Sequence, residues 1–323
     1  MTNTRLSFLV SALVASAALL AGPAAADTLA ERLGKDREAR LLILHADDLG
    51  MCQAASAAAR TIFGGGLAVS GSAMVPCPWF ADLATWAAEQ KDAPPDLGLH
   101  LALTSEWKTY RWGPVLPRSE VPGLVDPDGF LWRSVEELAR HASADEVERE
   151  IRAQVERARH FGLSPTHLDS HMGALFARLD YFAAYVSVAT EAGVVPFVPR
   201  LAGELREKIE KAGLLPVAEA ALADLESKGY PLVDRVENSG GKTYEERKAR
   251  LLDVVAKLEP GVTEIILHPA ADGPELQAIT HSHRARGDDL ALLCDPDLRA
   301  AIERAGVVLV TWREIGAAWK KEK

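Results

Sequence analysis

Four short segments carry side chains that could do acid–base or metal chemistry. They are His45–Asp48, His100, His167–His171 and His268. Each lies within or at the carboxyl end of a predicted strand, where barrel enzymes bring side chains from several strands to one site. Two imidazoles and one carboxylate with open coordination positions form a known arrangement for divalent metals. Because such groups on three separate strands are hard to attribute to chance, the sequence predicts a metal site.

Two adjacent carboxylates, Asp47 and Asp48, end the first apolar run. Alternation along an extended chain sends neighbouring side chains to opposite faces, so we expect the two to do different work. One could bind a metal while the other handles protons. The alternative is a helix cap or a turn, which an Asp-Asp pair can also form.

The histidines allow two interpretations. His100 lies between two leucines, so it could be a hydrogen-bonded core residue instead of a ligand. His167, Asp169 and His171 are spaced two apart and can share one face of a strand. A ligating imidazole usually has its second nitrogen oriented by a carboxylate or carbonyl, which a neighbouring Asp could supply.

These segments need a scaffold, and the chain alternates β-like and helix-like runs from Leu41 onward. Strands are predicted at 41–45, 68–75, 97–103, 166–171, 262–267 and 307–311, with weaker ones near Pro196 and Tyr230. Helices are predicted at 54–63, 79–90, from the Ser143–Glu146 capping box to Gly162, at 244–258 and from Asp295–Pro296. About eight strands alternating with helices predict an α/β fold with a parallel sheet. We expect one domain over 27–323, a (β/α) barrel or a distorted relative.

One connection, 105–133, is far longer than an ordinary loop between strand and helix. It contains Trp107, Tyr110 and Trp112 among its aromatic residues. Flat aromatic faces with a polar handle suit sugar rings, so these three are candidate substrate-binding residues. The alternative is a small core of their own that holds the loop together.

Composition and charge exclude some classes of function. The chain has 323 residues, of which 48% are apolar, and a net charge of −10. This acidic balance argues against a nucleic-acid partner, which would need clustered Lys and Arg. The three cysteines, Cys52, Cys77 and Cys294, fit no thiolate metal site, and a Cys52–Cys77 disulfide is not favoured.

The first 26 residues read as a cleavable signal peptide. Arg5 precedes an apolar stretch from Leu6 to Leu20, and an Ala-x-Ala site ends at Ala26. We therefore expect export to the periplasm or the medium; the alternative is a retained membrane anchor. In the mature chain, 27–323, no stretch is long enough to predict a transmembrane segment.

Read in order, the motifs resemble the YdjC-like family of carbohydrate deacetylases, the group of the ChbG and HpnK proteins. The resemblance is carried by Leu44–Met51, Leu97–Thr104, Pro165–His171 and Ile265–Pro269. It continues through Arg286–Leu290 and Val308–Ile315, so it covers nearly all of the chain from about Leu41. Four motifs in the right order are more specific than any one of them.

The resemblance implies a distorted (β/α) barrel, related to polysaccharide deacetylases, that hydrolyses an N-acetyl group from a mono- or oligosaccharide. Matched to the family's motifs, Asp48, His100 and His171 would hold the metal, Asp47 would be the catalytic base and His268 a candidate acid. Magnesium is usually named for the family. Two imidazoles would also suit zinc or another transition ion.

Two positions depart from the family pattern. Asn is common where His45 stands, and further histidines often follow His171, where this chain has Met172 and Gly173. These departures affect the expected substrate more than the expected reaction. Arg286 is a further candidate, to orient Asp47 or to bind substrate, with a surface salt bridge as the alternative.

Two other functions remain open from the sequence. A metal-dependent phosphoesterase or another amidohydrolase could use the same ligands on the same fold. An exported, non-catalytic sugar-binding protein could use the aromatic loop alone. It would not need Asp47 beside Asp48 or ligands on three strands.

Overall fold

The fold is built on one curled sheet of parallel strands. The computed structural model describes residues 27–65, 67 and 69–321, so the predicted signal peptide lies outside the described residues. The strands are β1 (Arg40–Leu49), β2 (Ser70–Ala73), β3 (Asp96–Leu101), β4 (His167–Ser170), β5 (Val195–Pro196), β6 (Arg235–Asn238), β7 (Gly261–Leu267) and β8 (Val308–Leu309). Their order is β5-β4-β3-β2-β1-β7-β6, and β8 pairs with the start of β1. The predicted α/β class with a parallel sheet is confirmed.

The two outer strands of this sheet meet and make it a distorted barrel. Beyond β5 and before β6, Pro199 and Val233 form a parallel bridge. The Arg200 amide donates to the Val233 carbonyl at 2.8 Å, and the Val233 amide donates to the Val198 carbonyl at 3.0 Å. Because the seam is this short, the closure is much weaker than the pairing between β1 and β7, which runs over seven residue pairs.

Helices surround the sheet. They are α1 (Leu29–Arg32), α2 (Gln53–Gly64), α3 (Phe80–Glu89), α4 (Val135–His141), α5 (Ala144–His160), α6 (Leu179–Ala192), α7 (Gly203–Lys211), α8 (Leu215–Ser227), α9 (Tyr244–Ala256), α10 (Pro274–Ile279), α11 (His283–Leu293), α12 (Pro296–Arg304) and α13 (Trp312–Lys321). The predicted capping box at Ser143 begins α5, and Asp295 caps α12 as expected. Within the described part of the chain, every helix lacks the combined length and apolar character needed to cross a bilayer.

Some predicted boundaries are wrong for identifiable reasons. The first strand extends to Leu49, four residues beyond its predicted end at His45, because both aspartates remain part of β1. The strand expected near Tyr230 begins only at Arg235, since residues before it run along the barrel seam with one bridging pair. The three cysteines are free thiols, in agreement with the expectation of no Cys52–Cys77 disulfide.

The long connection 105–133 is anchored to α5 by buried carboxylates. Glu150 accepts hydrogen bonds from the amides of Val115 and Leu116 at 2.8 and 3.0 Å, and Glu146 accepts one from Gly123 at 2.6 Å. A Cβ on Gly123 would lie 2.5 Å from the Glu146 carboxylate, so this approach requires glycine. The connection is therefore a fixed part of the fold beside the carboxyl ends of the strands.

Candidate active site

Three of the predicted site residues converge where β1, β3 and β4 end. Asp48, His100 and His171 are each almost completely buried. Asp48 Oδ1 lies 3.4 Å from His100 Nε2 and 3.3 Å from His171 Nδ1. One atom from each residue, all within 4.8 Å of one another, could hold a metal ion.

The backbone at the end of β1 aims both aspartates into this site. Asp48 has a φ of +62°, which is uncommon for a residue other than glycine, and the pairing of β1 with β2 shifts register between Ala46 and Leu49. As a result Asp47 and Asp48 line the same cavity. The expectation that strand alternation would send them to opposite faces is wrong, because the alternation is interrupted at this point. Left-handed backbone at such a residue is a strain typical of functional sites.

The two oxygens of Asp48 have different surroundings. Oδ2 accepts a hydrogen bond from Arg286 Nη2 at 2.7 Å. Oδ1 is buried and accepts no hydrogen bond that meets normal geometry from any described residue. A buried carboxylate oxygen without a partner is costly, and a cation between Asp48, His100 and His171 would satisfy it. The residues therefore fit a metal ion, and Arg286 orients Asp48, in contrast to the predicted pairing with Asp47.

Each candidate histidine ligand has a carboxylate behind it. His100 Nδ1 lies 2.5 Å from Asp169 Oδ1, and His171 Nε2 lies 3.0 Å from Glu106 Oε2. The other ring nitrogen of each histidine faces Asp48. Such carboxylate–histidine pairs fix the tautomer and the orientation of metal-binding imidazoles. Glu106 was not predicted; its place at the start of the long connection, next to the end of β3, was the available signal.

Charged neighbours shift the pKa values of two of the candidate ligands. Burial by itself would raise the pKa of Asp48, but Arg286 and His171 hold that pKa well below its usual value. Burial would lower the pKa of His171, but its close contacts with the carboxylates of Asp48 and Glu106 raise it to about 10. Asp48 and His171 thus each favour the charged form of the other.

Two other trios of buried side chains also have the spacing of a metal site. They are His45 with His167 and Asp169, and Asp47 with His100 and Asp169. Both include Asp169, whose two oxygens already contact His100 Nδ1 at 2.5 Å and His45 Nε2 at 3.1 Å. Asp169 is also not among the described residues that line the cavity, unlike all three of Asp48, His100 and His171. The trio around Asp48 is therefore the best candidate.

One carboxylate oxygen of Asp47 contacts neighbouring polar side chains, and the other is directed at the cavity. Oδ1 lies 3.1 Å from Ser72 Oγ, which donates to it, and 3.0 Å from His45 Nε2. Oδ2 lies 3.9 Å from His268 Nε2. The His268 side chain is 43% exposed, and its backbone amide donates to Asp289 at 2.9 Å. A spare carboxylate and an accessible imidazole therefore stand beside the candidate metal ligands.

A buried polar layer supports Asp47 from below. His45 touches both Asp47 and Asp169 with Nε2, and its Nδ1 lies 3.6 Å from Glu264 Oε1. Burial raises the pKa of Glu264 to about 8. His45 is therefore a polar residue next to the site, one of the two roles expected for it. Ser72 and Glu264 were not predicted, since neither belongs to a motif whose spacing marks it as part of a site.

The aromatic residues of the long connection lie behind the site. The Arg286 guanidinium stacks 5.2 Å from the Trp107 ring, and the Trp112 ring lies 6.1 Å from that of His171. Tyr110 donates to the Met51 carbonyl at 2.5 Å. These three aromatic residues are not among the described residues that line the cavity. The geometry matches the alternative of a separate small core, and direct contact with a sugar stays a prediction.

Comparison with known proteins finds relatives that match most of the chain. A family model described as YdjC-like protein matches residues 41–304. The carbohydrate deacetylase of Thermus thermophilus is 37% identical over 294 residues, which cover 90% of this chain and 98% of that protein. The carbohydrate deacetylase of Geobacillus stearothermophilus is 29% identical over 281 residues, covering 85% of this chain and 98% of its own.

A solved structure shows the same fold. The crystal structure of an Enterococcus faecalis protein superposes with a TM-score of 0.69 at 23% identity and covers 86% of this chain and 99% of that one. The family match includes all four motifs, from the strand that contains Asp48 to the strand that precedes His268. By this match and by its identity to the T. thermophilus protein, the chain belongs to the YdjC-like family.

Proposed function

We propose that this protein is a metal-dependent deacetylase that hydrolyses the N-acetyl group of an amino sugar. The observation that carries the proposal is the convergence of Asp48 Oδ1, His100 Nε2 and His171 Nδ1, with the spare carboxylate of Asp47 beside them. The substrate class is supported by the relatives, among which the T. thermophilus protein is named a carbohydrate deacetylase and a Salmonella protein a chitooligosaccharide deacetylase.

Asp48, His100 and His171 would hold the metal ion. Two imidazole nitrogens and one carboxylate oxygen favour Zn²⁺ or another first-row transition ion over Mg²⁺, which prefers oxygen ligands. When bound, such an ion lowers the pKa of water and polarises a carbonyl group. Asp169 and Glu106 would keep the two imidazoles in the ligating orientation through the hydrogen bonds described above.

Asp47 and His268 would carry the protons. Asp47 Oδ2 is turned to the cavity, so it can accept a proton from the water that attacks the acetyl carbon. Cleavage of the C–N bond then requires a proton on the departing amine nitrogen. His268 is the accessible imidazole near Asp47 and can donate it. Acetate and the free amino sugar are the products.

The experiment is a measurement of acetate release from N-acetylated mono- and oligosaccharides. The protein is assayed as purified, after chelation, and after separate reconstitution with Zn²⁺, Mn²⁺ and Mg²⁺. We expect acetate release that chelation abolishes and a transition ion restores. Phosphate release from sugar phosphates without acetate release would favour a phosphoesterase. Saccharide binding without turnover under any metal would leave only a sugar-binding protein.

We further propose that residues 1–26 are a signal peptide and that the protein is exported. The support is the sequence pattern of a charged residue, an apolar stretch and a small-residue cleavage site. Mass spectrometry of protein recovered from the periplasm and from the medium is expected to show an amino terminus at Asp27. An intact amino terminus in the membrane fraction would contradict this.

A further inference from the structure

A buried histidine, His45, lies between the candidate base and a carboxylate that supports a metal ligand. It belongs to β1, two residues before Asp47, and its side chain is 1% exposed. Its Nε2 lies 3.0 Å from Asp47 Oδ1 and 3.1 Å from Asp169 Oδ2. The other oxygen of Asp169 contacts His100 Nδ1 at 2.5 Å. One ring nitrogen therefore joins the carboxylate that would take a proton to the carboxylate that orients a candidate ligand.

The neighbours of His45 determine which of its ring nitrogens carries a hydrogen. An ionised carboxylate only accepts hydrogen bonds, so Nε2, which faces the carboxylates of Asp47 and Asp169, is a donor. On the other side of the ring, Nδ1 lies 3.6 Å from Glu264 Oε1. Two acceptors without a hydrogen would repel each other in this buried space, so a further proton lies on Nδ1 or on Glu264. With either placement, His45 presents an N–H group to Asp47.

This N–H group determines which oxygen of Asp47 faces the cavity. A carboxylate can turn about its Cβ–Cγ bond, and its two oxygens are equivalent until neighbouring groups distinguish them. Here Oδ1 faces two donors, His45 Nε2 at 3.0 Å and Ser72 Oγ at 3.1 Å. Oδ2 lies on the side of His268, 3.9 Å from its Nε2, and is left for a substrate water. The orientation of a reacting group controls the rate, and a displacement of about 1 Å can cost about 10²-fold.

We propose that His45 is a positioning residue that holds Asp47 in place relative to the candidate metal ligands, and that Glu264 keeps the imidazole in the orientation this requires. The inference rests on the proposed function, because His45 has this role only if Asp47 is the base. A residue with this role acts through Asp47, so its loss changes kcat and leaves KM and the metal content as they are. A purely structural imidazole would instead affect the protein whether or not Asp47 could take a proton.

The test is a double-mutant cycle that combines His45→Leu with Asp47→Asn and measures acetate release by the metal-loaded protein. Alone, His45→Leu is expected to lower kcat by about 10²-fold, with KM and metal content unchanged. In the Asp47→Asn background it is expected to cause no further loss, because residues that act as a unit are not additive. His45→Gln should keep most of the activity, since its amide can donate from near the position of Nε2. This second variant also serves if His45→Leu does not fold.

His167→Leu is the matched control, because it removes an equally buried imidazole that also contacts Asp169, with Nε2 3.5 Å from Oδ2. The histidines that pair with Asp47 among the described residues are His45, His100 and His268. The control should keep kcat near that of the wild type, with urea unfolding as the check that it is folded. An equal loss of kcat in His45→Leu and His167→Leu would overturn the inference, and so would a further loss of similar size in the Asp47→Asn background.

A second measurement does not depend on activity. In the metal-free protein labelled with ¹⁵N-histidine, NMR is expected to show a hydrogen on His45 Nε2, with a signal that is lost in His45→Gln and moves in Asp47→Asn and in Glu264→Gln. A His45 ring that carries its hydrogen on Nδ1 alone would overturn the inference. If this signal behaves as expected but the wild type releases no acetate, the proposed function would be overturned, and with it the catalytic role of His45, whereas the contact between His45 and Asp47 would stand.

Discussion

Asp169→Asn tests whether the carboxylate layer behind the metal ligands sets metal affinity. Asp169 Oδ1 lies 2.5 Å from His100 Nδ1 and leaves His100 Nε2 directed at Asp48. An amide in its place is nearly isosteric but uncharged. It can present its NH₂ group to the ring, which would favour the wrong tautomer. The substitution therefore changes the electronic support of a ligand without removing the ligand.

The expected loss is a factor of about 10 to 100 in metal affinity, the usual range for such supporting residues. This corresponds to about 1.4–2.7 kcal/mol. At a metal concentration 100 times the wild-type Kd, the ion stabilises the wild-type fold by about 2.7 kcal/mol. At the same concentration the variant would gain only about 0.4–1.4 kcal/mol. The difference is large enough to measure in denaturant.

The assay is calorimetric titration of the metal-free proteins with Zn²⁺, together with urea unfolding with and without the ion. Asp272→Asn is the matched control, because Asp272 also pairs with a histidine. Its Oδ1 lies 3.0 Å from His283 Nδ1, at the surface and away from the site. The control should bind metal as the wild type does. Equal affinities in Asp169→Asn and the control would refute the role given to Asp169, and no binding by the wild type would refute the metal site.

Three further predictions concern the proton-transfer groups and the buried acid beneath them. Asp47→Asn should lower acetate release by about 10²–10⁴-fold with metal content unchanged, whereas His100→Ala should lose the metal. Metal analysis beside the activity assay checks both variants. Full activity of Asp47→Asn would exclude Asp47 as the base. His268→Gln should lower kcat by about 10² for an N-acetyl sugar but much less for p-nitroacetanilide, whose amine leaves more easily, and an equal loss on both would contradict its role as acid. Glu264 has a pKa of about 8 in the folded chain, against an ordinary value of 4.5. Between these pH values the folded chain keeps a proton that the unfolded chain releases. The free energy of unfolding should therefore fall as pH rises from about 5 to 8, by at most about 1.4 kcal/mol per pH unit. Urea unfolding of metal-free Glu264→Gln should show a flatter decline over this range, and parallel profiles would contradict the assignment.

The residue pattern predicted the fold class, and the structure brings Asp48, His100 and His171 close to one another, as the pattern led us to expect. The apolar runs before Asp48 and around His100 and His167 were enough to place these residues on three strands of one parallel sheet, β1, β3 and β4. Parallel strands deliver their carboxyl ends to one edge, so proximity followed from topology. Asp295 and Ser143 marked helix starts because capping depends on local hydrogen bonds.

The remaining features depend on contacts between distant segments. The positive φ of Asp48 and the register shift in β1 arise from pairing with β2, and strand alternation alone gave the wrong direction for the aspartates. Glu106 reaches His171 across 65 positions of sequence, and Glu264 reaches His45 across more than 200. A single carboxylate in a loop or strand has no spacing to mark it, so its role appears only when the chain is folded.

The two departures from the family pattern lie on different sides of the site. His45 is buried beneath Asp47, is not itself among the described residues that line the cavity, and contacts Asp47 through Nε2 at 3.0 Å, so it acts on the base from the protein side. Met172 follows the candidate ligand His171, is 48% exposed and lines the cavity. An apolar side chain at this position, where the resemblance led us to expect a histidine, changes what the cavity can accommodate and leaves the candidate ligands in place. The substitution at 45 should therefore alter rate or pH dependence, and that at 172 the preferred substrate.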